Sequence, residues 1–121
     1  MNNENYIINI NNLNKNYILK NNQTVEIISN LDFKVKYNSK ISIIGPSGSG
    51  KTTFLNILGM LDKGFNGSYL FKGEDINSFS ESKINSVRGL SIGFVHQFFH
   101  LIPELTAIEN VMLPLLINKN D

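Results

Sequence analysis

The chain has 121 residues and a mass of 13.6 kDa, which leaves room for one domain and no second. Hydrophobic residues make up 41% and charged residues 17%, with a mean hydropathy of −0.09, so the chain is not disordered throughout. A net charge of +1 supplies no field that would draw it onto nucleic acid or an anionic membrane, and the lack of cysteine excludes disulfides, thiolate metal sites and a cysteine nucleophile.

The longest run of apolar residues and proline, Val111 to Ile117, falls far short of the roughly 20 residues a spanning helix needs. Met1 to Asn5 contains no basic stretch leading into an apolar core, so no secretory leader is expected and the chain is expected to stay in the cytoplasm.

Asparagine crowds the first thirty residues, as an A/T-rich genome would encode. Tyr6-Ile7-Ile8 and Tyr17-Ile18-Leu19 predict short strands, with the polar tract around Asn11, Asn12, Asn14 and Asn16 forming turns between them. Val25 to Ile28 predicts another strand. In Leu31 to Tyr37, Leu31, Phe33, Val35 and Tyr37 alternate with polar residues as a half-buried strand does. After a turn at Asn38-Ser39, Ile41-Ser42-Ile43-Ile44 reads as a buried parallel strand.

The next segment carries the chemistry. Gly45-Pro46-Ser47-Gly48-Ser49-Gly50-Lys51-Thr52 fits G-x-x-x-x-G-K-[ST], the phosphate-binding P-loop, and Thr53 to Leu61 continues as an apolar helix. Glycines at 45, 48 and 50 permit backbone conformations closed to other residues and let main-chain N–H groups converge on an anion. The helix start adds unpaired N–H groups and a positive dipole end, together favouring phosphate by about 0.3–2 kcal/mol. Lys51 brings a full charge to the β- and γ-phosphates of a nucleoside triphosphate. Thr52 offers a hydroxyl to Mg2+, and Thr53 can reach the α-phosphate.

Beyond this helix, Asp62 to Gly67 is a turn cluster and Ser68 to Phe71 a strand. Ser80 to Arg88 reads as a polar helix with Ile84 and Val87 facing inward, and Ser91 to Val95 as a strand ending at His96-Gln97. Phe98 to Pro103 is an apolar aromatic loop, and Thr106 with Glu109 forms a capping box for a last helix. Pro114 is expected to kink that stretch or to begin a new element. His96 and His100 come without the further ligands of a zinc site.

In this order, an early Tyr, the P-loop with Thr53, and Gly93-Phe94-Val95-His96-Gln97 resemble the ATP-binding subunits of ABC transporters. Gln97 to Val111 followed by Leu113 to Ile117 is similar to the lipoprotein-releasing subgroup, with macrolide-export and cell-division ATPases as near relatives. The resemblance implies an α/β P-loop core with an N-terminal antiparallel β subdomain. Residues 1–121 would form the N-terminal part of one ATP-binding domain, ending after the glutamine loop.

The resemblance also implies roles for single residues. Tyr17 would stack on adenine, worth about 1–3 kcal/mol per base, while packing in the strand layer is its structural alternative. Tyr6 and Tyr37 are weaker candidates. Gln97 would contact Mg2+ and the attacking water, and Phe98, Phe99 and Leu101 would either meet a membrane subunit or fill the domain's own core. The implied cofactors are ATP and Mg2+. The implied partners are membrane-spanning transporter subunits and a second ATP-binding subunit, at the cytoplasmic face of the inner membrane.

The family's signature segment, its Walker B strand ending in Asp-Glu and its switch histidine have no match in these residues. The expectation is therefore a segment that binds nucleotide without hydrolysing it alone, the ATPase being completed elsewhere.

Overall fold

The structure, a computed structural model, describes residues 5–117, so most of the leader reading on Met1 to Asn5 lies outside the described residues. The chain divides into two compact units, one up to Ile84 and the other from Asn85.

The first unit is built on a four-stranded antiparallel sheet. β1 (Tyr6–Ile18) and β2 (Thr24–Lys36) form a long hairpin, β3 (Asn66–Phe71) pairs with the other edge of β1, and β4 (Glu74–Asp75) adds to β3, giving the order β2-β1-β3-β4. This is the expected N-terminal antiparallel subdomain. The hairpin turn is closed by the Leu19 N–H donating to the Gln23 carbonyl at 2.8 Å, with Asn22 at φ 61°.

The asparagine tract is not a turn. It lies inside β1, where the register slips between Ile10 and Leu13 and again on either side of Lys15. Asn12 takes φ 52° and its N–H donates to the Asp32 carboxylate at 2.7 Å, while the Asn30 N–H donates to the Asn14 side chain at 2.9 Å. Asparagine tolerates left-handed backbone, and short polar side chains satisfy the backbone groups a bulge leaves unpaired. Two expected short strands thereby become one long one, from which Leu19 is left out.

α1 (Lys51–Leu58) packs its apolar face on this sheet. Phe54 meets Phe33 of β2 edge to face at 5.1 Å, and Ile57 and Met60 are buried with Ile10, Leu13 and Tyr69. Tyr69 is fully buried, and its hydroxyl donates to the Leu58 carbonyl at 2.7 Å, satisfying one of the acceptors the helix end leaves free. Burial raises this phenol well above its ordinary pKa. A single 3-10 turn at Ile76–Ser78 follows β4, capped by the Asp75 side chain.

α2 (Glu81–Ser91) begins at Ser80, whose hydroxyl accepts from the Lys83 N–H at 3.2 Å. Ile84 is buried and Val87 half-buried, as the helical spacing predicts. The helix runs further than expected, taking in Ser91.

Two expected strands do not form. Ile41 to Ile44 is irregular, with Ile44 92% exposed, and Ile92 to Val95 is likewise without regular structure. A parallel strand needs neighbours on its edges to satisfy its backbone, and among the described residues all strand pairing is antiparallel and confined to β1–β4. Apolar β-branched composition alone does not supply a partner.

In the second unit, α3 (Ala107–Ile117) carries the predicted capping box: the Thr106 N–H and hydroxyl both reach the Glu109 carboxylate at 2.7 Å, and the Glu109 N–H donates to the Thr106 hydroxyl at 3.3 Å. Asn110 staples the preceding loop, accepting from the Ile102 N–H at 2.9 Å and donating to the Leu105 carbonyl at 3.1 Å. Pro114 lies inside α3 and starts no new element. No helix among the described residues is long and apolar enough to cross a membrane.

Candidate functional site

The loop of residues 45–50 hands the chain into α1 through two left-handed glycines, Gly48 at φ 78° and Gly50 at φ 88°. Gly50 sits at the helix N-cap, where no side chain satisfies the first-turn N–H groups. Those donors therefore stay available to an incoming acceptor. Gly50 is further constrained by β2, since a Cβ there would lie 3.0 Å from the Ile27 side chain and 3.2 Å from its carbonyl oxygen. The sheet thus seats the loop through this glycine.

The Lys51 ammonium folds back over the loop, donating to the carbonyls of Gly45 and Pro46 at 2.6 Å each and to the Ser49 hydroxyl at 3.3 Å. It is the charged member of the lining of a cleft of about 530 Å³ whose other walls include Ile27, Phe33, Ile43 and Phe54. A cation held by backbone dipoles at a helix N-terminus, beside free N–H donors, is a chemistry suited to a multiply charged oxyanion. Thr52 is exposed on the first turn and Thr53 half-buried behind it. The Thr52 hydroxyl is a hard oxygen donor of the kind Mg2+ accepts.

Tyr17 lies near the end of β1 opposite Val25, two residues along β2 from the Ile27 that abuts Gly50. At the rise of a strand this sets the pairing about 7 Å from the loop contact. Tyr17 is 41% exposed, with the Lys15 ammonium over its ring at 4.7 Å from the centroid. Tyr6 is half-buried under Lys34 at 5.6 Å, and Tyr37 is exposed.

Two residues around Tyr17 carry no motif and were legible only as members of polar turns. Lys15, 5% exposed, donates to Asp62 at 2.8 Å and to the Gly64 carbonyl at 2.7 Å, and the Tyr17 hydroxyl donates to Asp62 at 3.3 Å. Burial pushes the Asp62 carboxyl up, but Lys15, the Gly64 N–H and the Tyr17 hydroxyl together outweigh it and hold the group below its ordinary value.

Gln97 belongs to the second unit. It is exposed in the irregular segment after α2 and not at a strand end, because the expected strand at Ser91–Val95 is absent. Phe98, Phe99 and Leu101 are 70%, 90% and 64% exposed, which removes the alternative that they fill a core within the described residues. His96 stacks with His100 at 4.4 Å and with Phe94 at 5.3 Å between ring centroids.

The ABC transporter family model matches residues 28–121. The lipoprotein-releasing system ATP-binding protein LolD of Syntrophus aciditrophicus is 43% identical over 93% of this chain and 50% of its own length. The uncharacterized ABC transporter ATP-binding protein YknY of Bacillus subtilis is 41% identical over 91% of this chain and 47% of its own. Among solved structures, the dimeric post-hydrolysis ATP-binding cassette MJ0796 bound to ADP and Pi is similar with a TM-score of 0.84 and 38% identity, covering 94% of this chain and 49% of that one. The chain spans about half the length of the relatives it matches. With its P-loop, its antiparallel β subdomain and this breadth of similarity, the chain belongs to the ABC transporter family.

Proposed function

We propose that this chain is the nucleotide-binding part of an ABC-transporter ATPase subunit, with the loop of Gly45, Pro46, Ser47, Gly48, Ser49 and Gly50 wrapping the phosphates of ATP. The observation that carries this is the pair of left-handed glycines delivering free helix N–H groups beside the Lys51 ammonium. In binding, Lys51 exchanges its bonds to the Gly45 and Pro46 carbonyls for phosphate oxygens, Thr53 reaches the α-phosphate and Tyr17 stacks on the adenine. Thr52 would hold Mg2+, which when bound offsets phosphate charge.

Hydrolysis is assigned to the complete subunit working as a dimer with membrane-spanning partners at the cytoplasmic face of the inner membrane, and residues 1–121 form the N-terminal part of one ATP-binding domain. Lipoprotein release is the transport we assign, supported by the similarity to LolD, with Phe98 and Phe99 exposed for the membrane partner. The comparable identity to YknY favours, as the second reading, an ABC ATPase of another transport system.

Calorimetric titration of the folded chain with ATP and Mg2+ tests the nucleotide reading. Saturable binding abolished by Lys51→Ala is the expected result. A flat titration of the folded chain overturns it.

A further inference from the structure

We infer that Asp62, clamped by Lys15, is the positioning residue that sets the Tyr17 ring as a platform for the nucleotide base. This rests on the reading of Tyr17 as the adenine-stacking residue, and adds what holds that ring in place.

A stacking platform must keep its ring in one orientation, because a ring that swings costs entropy each time a base docks. Tyr17 sits on a strand end before a hairpin turn, 41% exposed, where packing alone does not immobilise it. Two contacts do so instead. The hydroxyl donates to Asp62 at 3.3 Å, fixing the far end of the ring, and the Lys15 ammonium lies over the ring at 4.7 Å from its centroid.

Asp62 can serve as an anchor because it is itself immobile. Both its oxygens lie 2.8 Å from the Lys15 ammonium, and one of them also accepts from the Gly64 N–H at 2.9 Å. Lys15 is almost fully buried and shared with the Gly64 carbonyl, so the clamp is anchored in the segment joining α1 to β3. That segment follows α1, the helix whose first turn faces the phosphates. The same helix therefore carries the phosphate donors at its start and leads into the ring's anchor beyond its end.

The experiment separates the base from the phosphates. Full-length chain is titrated with ATP and with inorganic tripolyphosphate, Mg2+ present in both, and the change in the ratio of the two affinities between variants reads the contribution of the adenosine moiety. Asp62→Asn, Tyr17→Phe and the double variant are compared with the unaltered chain, with circular dichroism as the folding control. Loss of all stacking would lower the ratio by about 5- to 150-fold, and each single variant is expected to lower it by at least about threefold with tripolyphosphate affinity unchanged. The double variant is expected to match Tyr17→Phe, since Asp62 acts through the hydroxyl that variant lacks.

Equal losses for ATP and tripolyphosphate, or a further fall in the double variant, overturn the proposal. If Asp62→Asn does not fold, Tyr17→Phe decides, because it keeps the Lys15–Asp62 pair: a lowered ratio supports the proposal and an unchanged ratio overturns it. Tripolyphosphate binding with no added affinity for ATP overturns the platform while leaving the phosphate site intact. Binding of neither ligand overturns the nucleotide reading itself, and this proposal with it.

Discussion

Gly67 of β3 lies so close to Asn12 of β1 that a Cβ built on it would fall 2.4 Å from the Asn12 carbonyl oxygen. The glycine also holds φ 111°, beside the bulge where the pairing of β1 and β3 slips between Asn11 and Asn14. Both features require the absence of a side chain. Gly67→Ala combines backbone strain with a clash against a backbone atom, and is expected to destabilise the first unit by about 2–5 kcal/mol. A fall in the urea midpoint with the slope unchanged checks this, whereas wild-type stability would show that the strands can slide apart at no cost.

The pair of Lys15 and Asp62 predicts an asymmetry between breaking a buried charge pair and replacing it. Asp62→Ala leaves the Lys15 ammonium buried without its counter-ion and is expected to cost about 3–5 kcal/mol, while Lys15→Met with Asp62→Leu is expected to recover most of that loss. Chemical unfolding of the single and double variants checks the sign.

The same pair sets an acid dependence. Asp62 is held below its ordinary value of 3.8, so the unfolded chain binds a proton at higher pH than the folded chain does. Its contribution is present in full above that ordinary value and is lost as pH falls through the lower folded value. Stability of the unaltered chain is therefore expected to drop more steeply below pH 3.8 than that of the Lys15→Met, Asp62→Leu variant. Parallel pH profiles for the two would remove Asp62 from the acid response.

At α3 the capping box makes a local prediction. Thr106→Ala removes the hydroxyl that accepts from the Glu109 N–H and is expected to cost the helix about 1 kcal/mol. Glu109 is lowered by its bonds from the Thr106 N–H and hydroxyl, so protonating it at low pH weakens the same cap from the other side. Hydrogen exchange in the first turn of α3 should quicken in Thr106→Ala, and in the unaltered chain as pH falls below the ordinary carboxylate range once the intrinsic rate is corrected. Exchange unchanged in both would mean that the turn is held by Asn110 and its bonds to Ile102, Leu105 and Thr106 alone.

What the residues disclosed in advance was local. The P-loop, the start of α1, the Thr106–Glu109 box and the inward Ile84 all depend on neighbours a few positions away and are where spacing put them, although α1 ends at Leu58 and not at the expected Leu61. The misreadings at Ile41–Ile44 and Ser91–Val95 concern strands, whose existence depends on partners far along the chain. The asparagine tract misled for a different reason: the side chains of Asn14 and Asp32 satisfy backbone groups at bulges inside a strand, which composition cannot distinguish from a turn. Lys15 and Asp62 were unreadable because 47 positions separate two ordinary polar residues that meet only after β1 and α1 pack.

The glycines of the loop are not equivalent, and the difference is measurable. Gly48 holds φ 78° with nothing within 4 Å of where a Cβ would stand, so Gly48→Ala carries backbone strain alone, about 1–2 kcal/mol. Gly50 holds φ 88° and would in addition press its Cβ against both the side chain and the carbonyl of Ile27. To relieve that contact the loop must lift from β2, carrying with it the helix start and the Gly45 and Pro46 carbonyls that hold Lys51. Gly50→Ala is therefore expected to lose more stability than Gly48→Ala and to weaken tripolyphosphate binding more strongly, because the donors and the ammonium move together. Trimming the obstacle tests the cause: Ile27→Ala combined with Gly50→Ala removes the 3.0 Å side-chain contact but not the 3.2 Å backbone contact. It should restore part of the binding lost by Gly50→Ala alone. If the combined variant binds no better than Gly50→Ala, the Ile27 side chain is not the obstacle, and the backbone strain at position 50 together with the Ile27 carbonyl governs the loop.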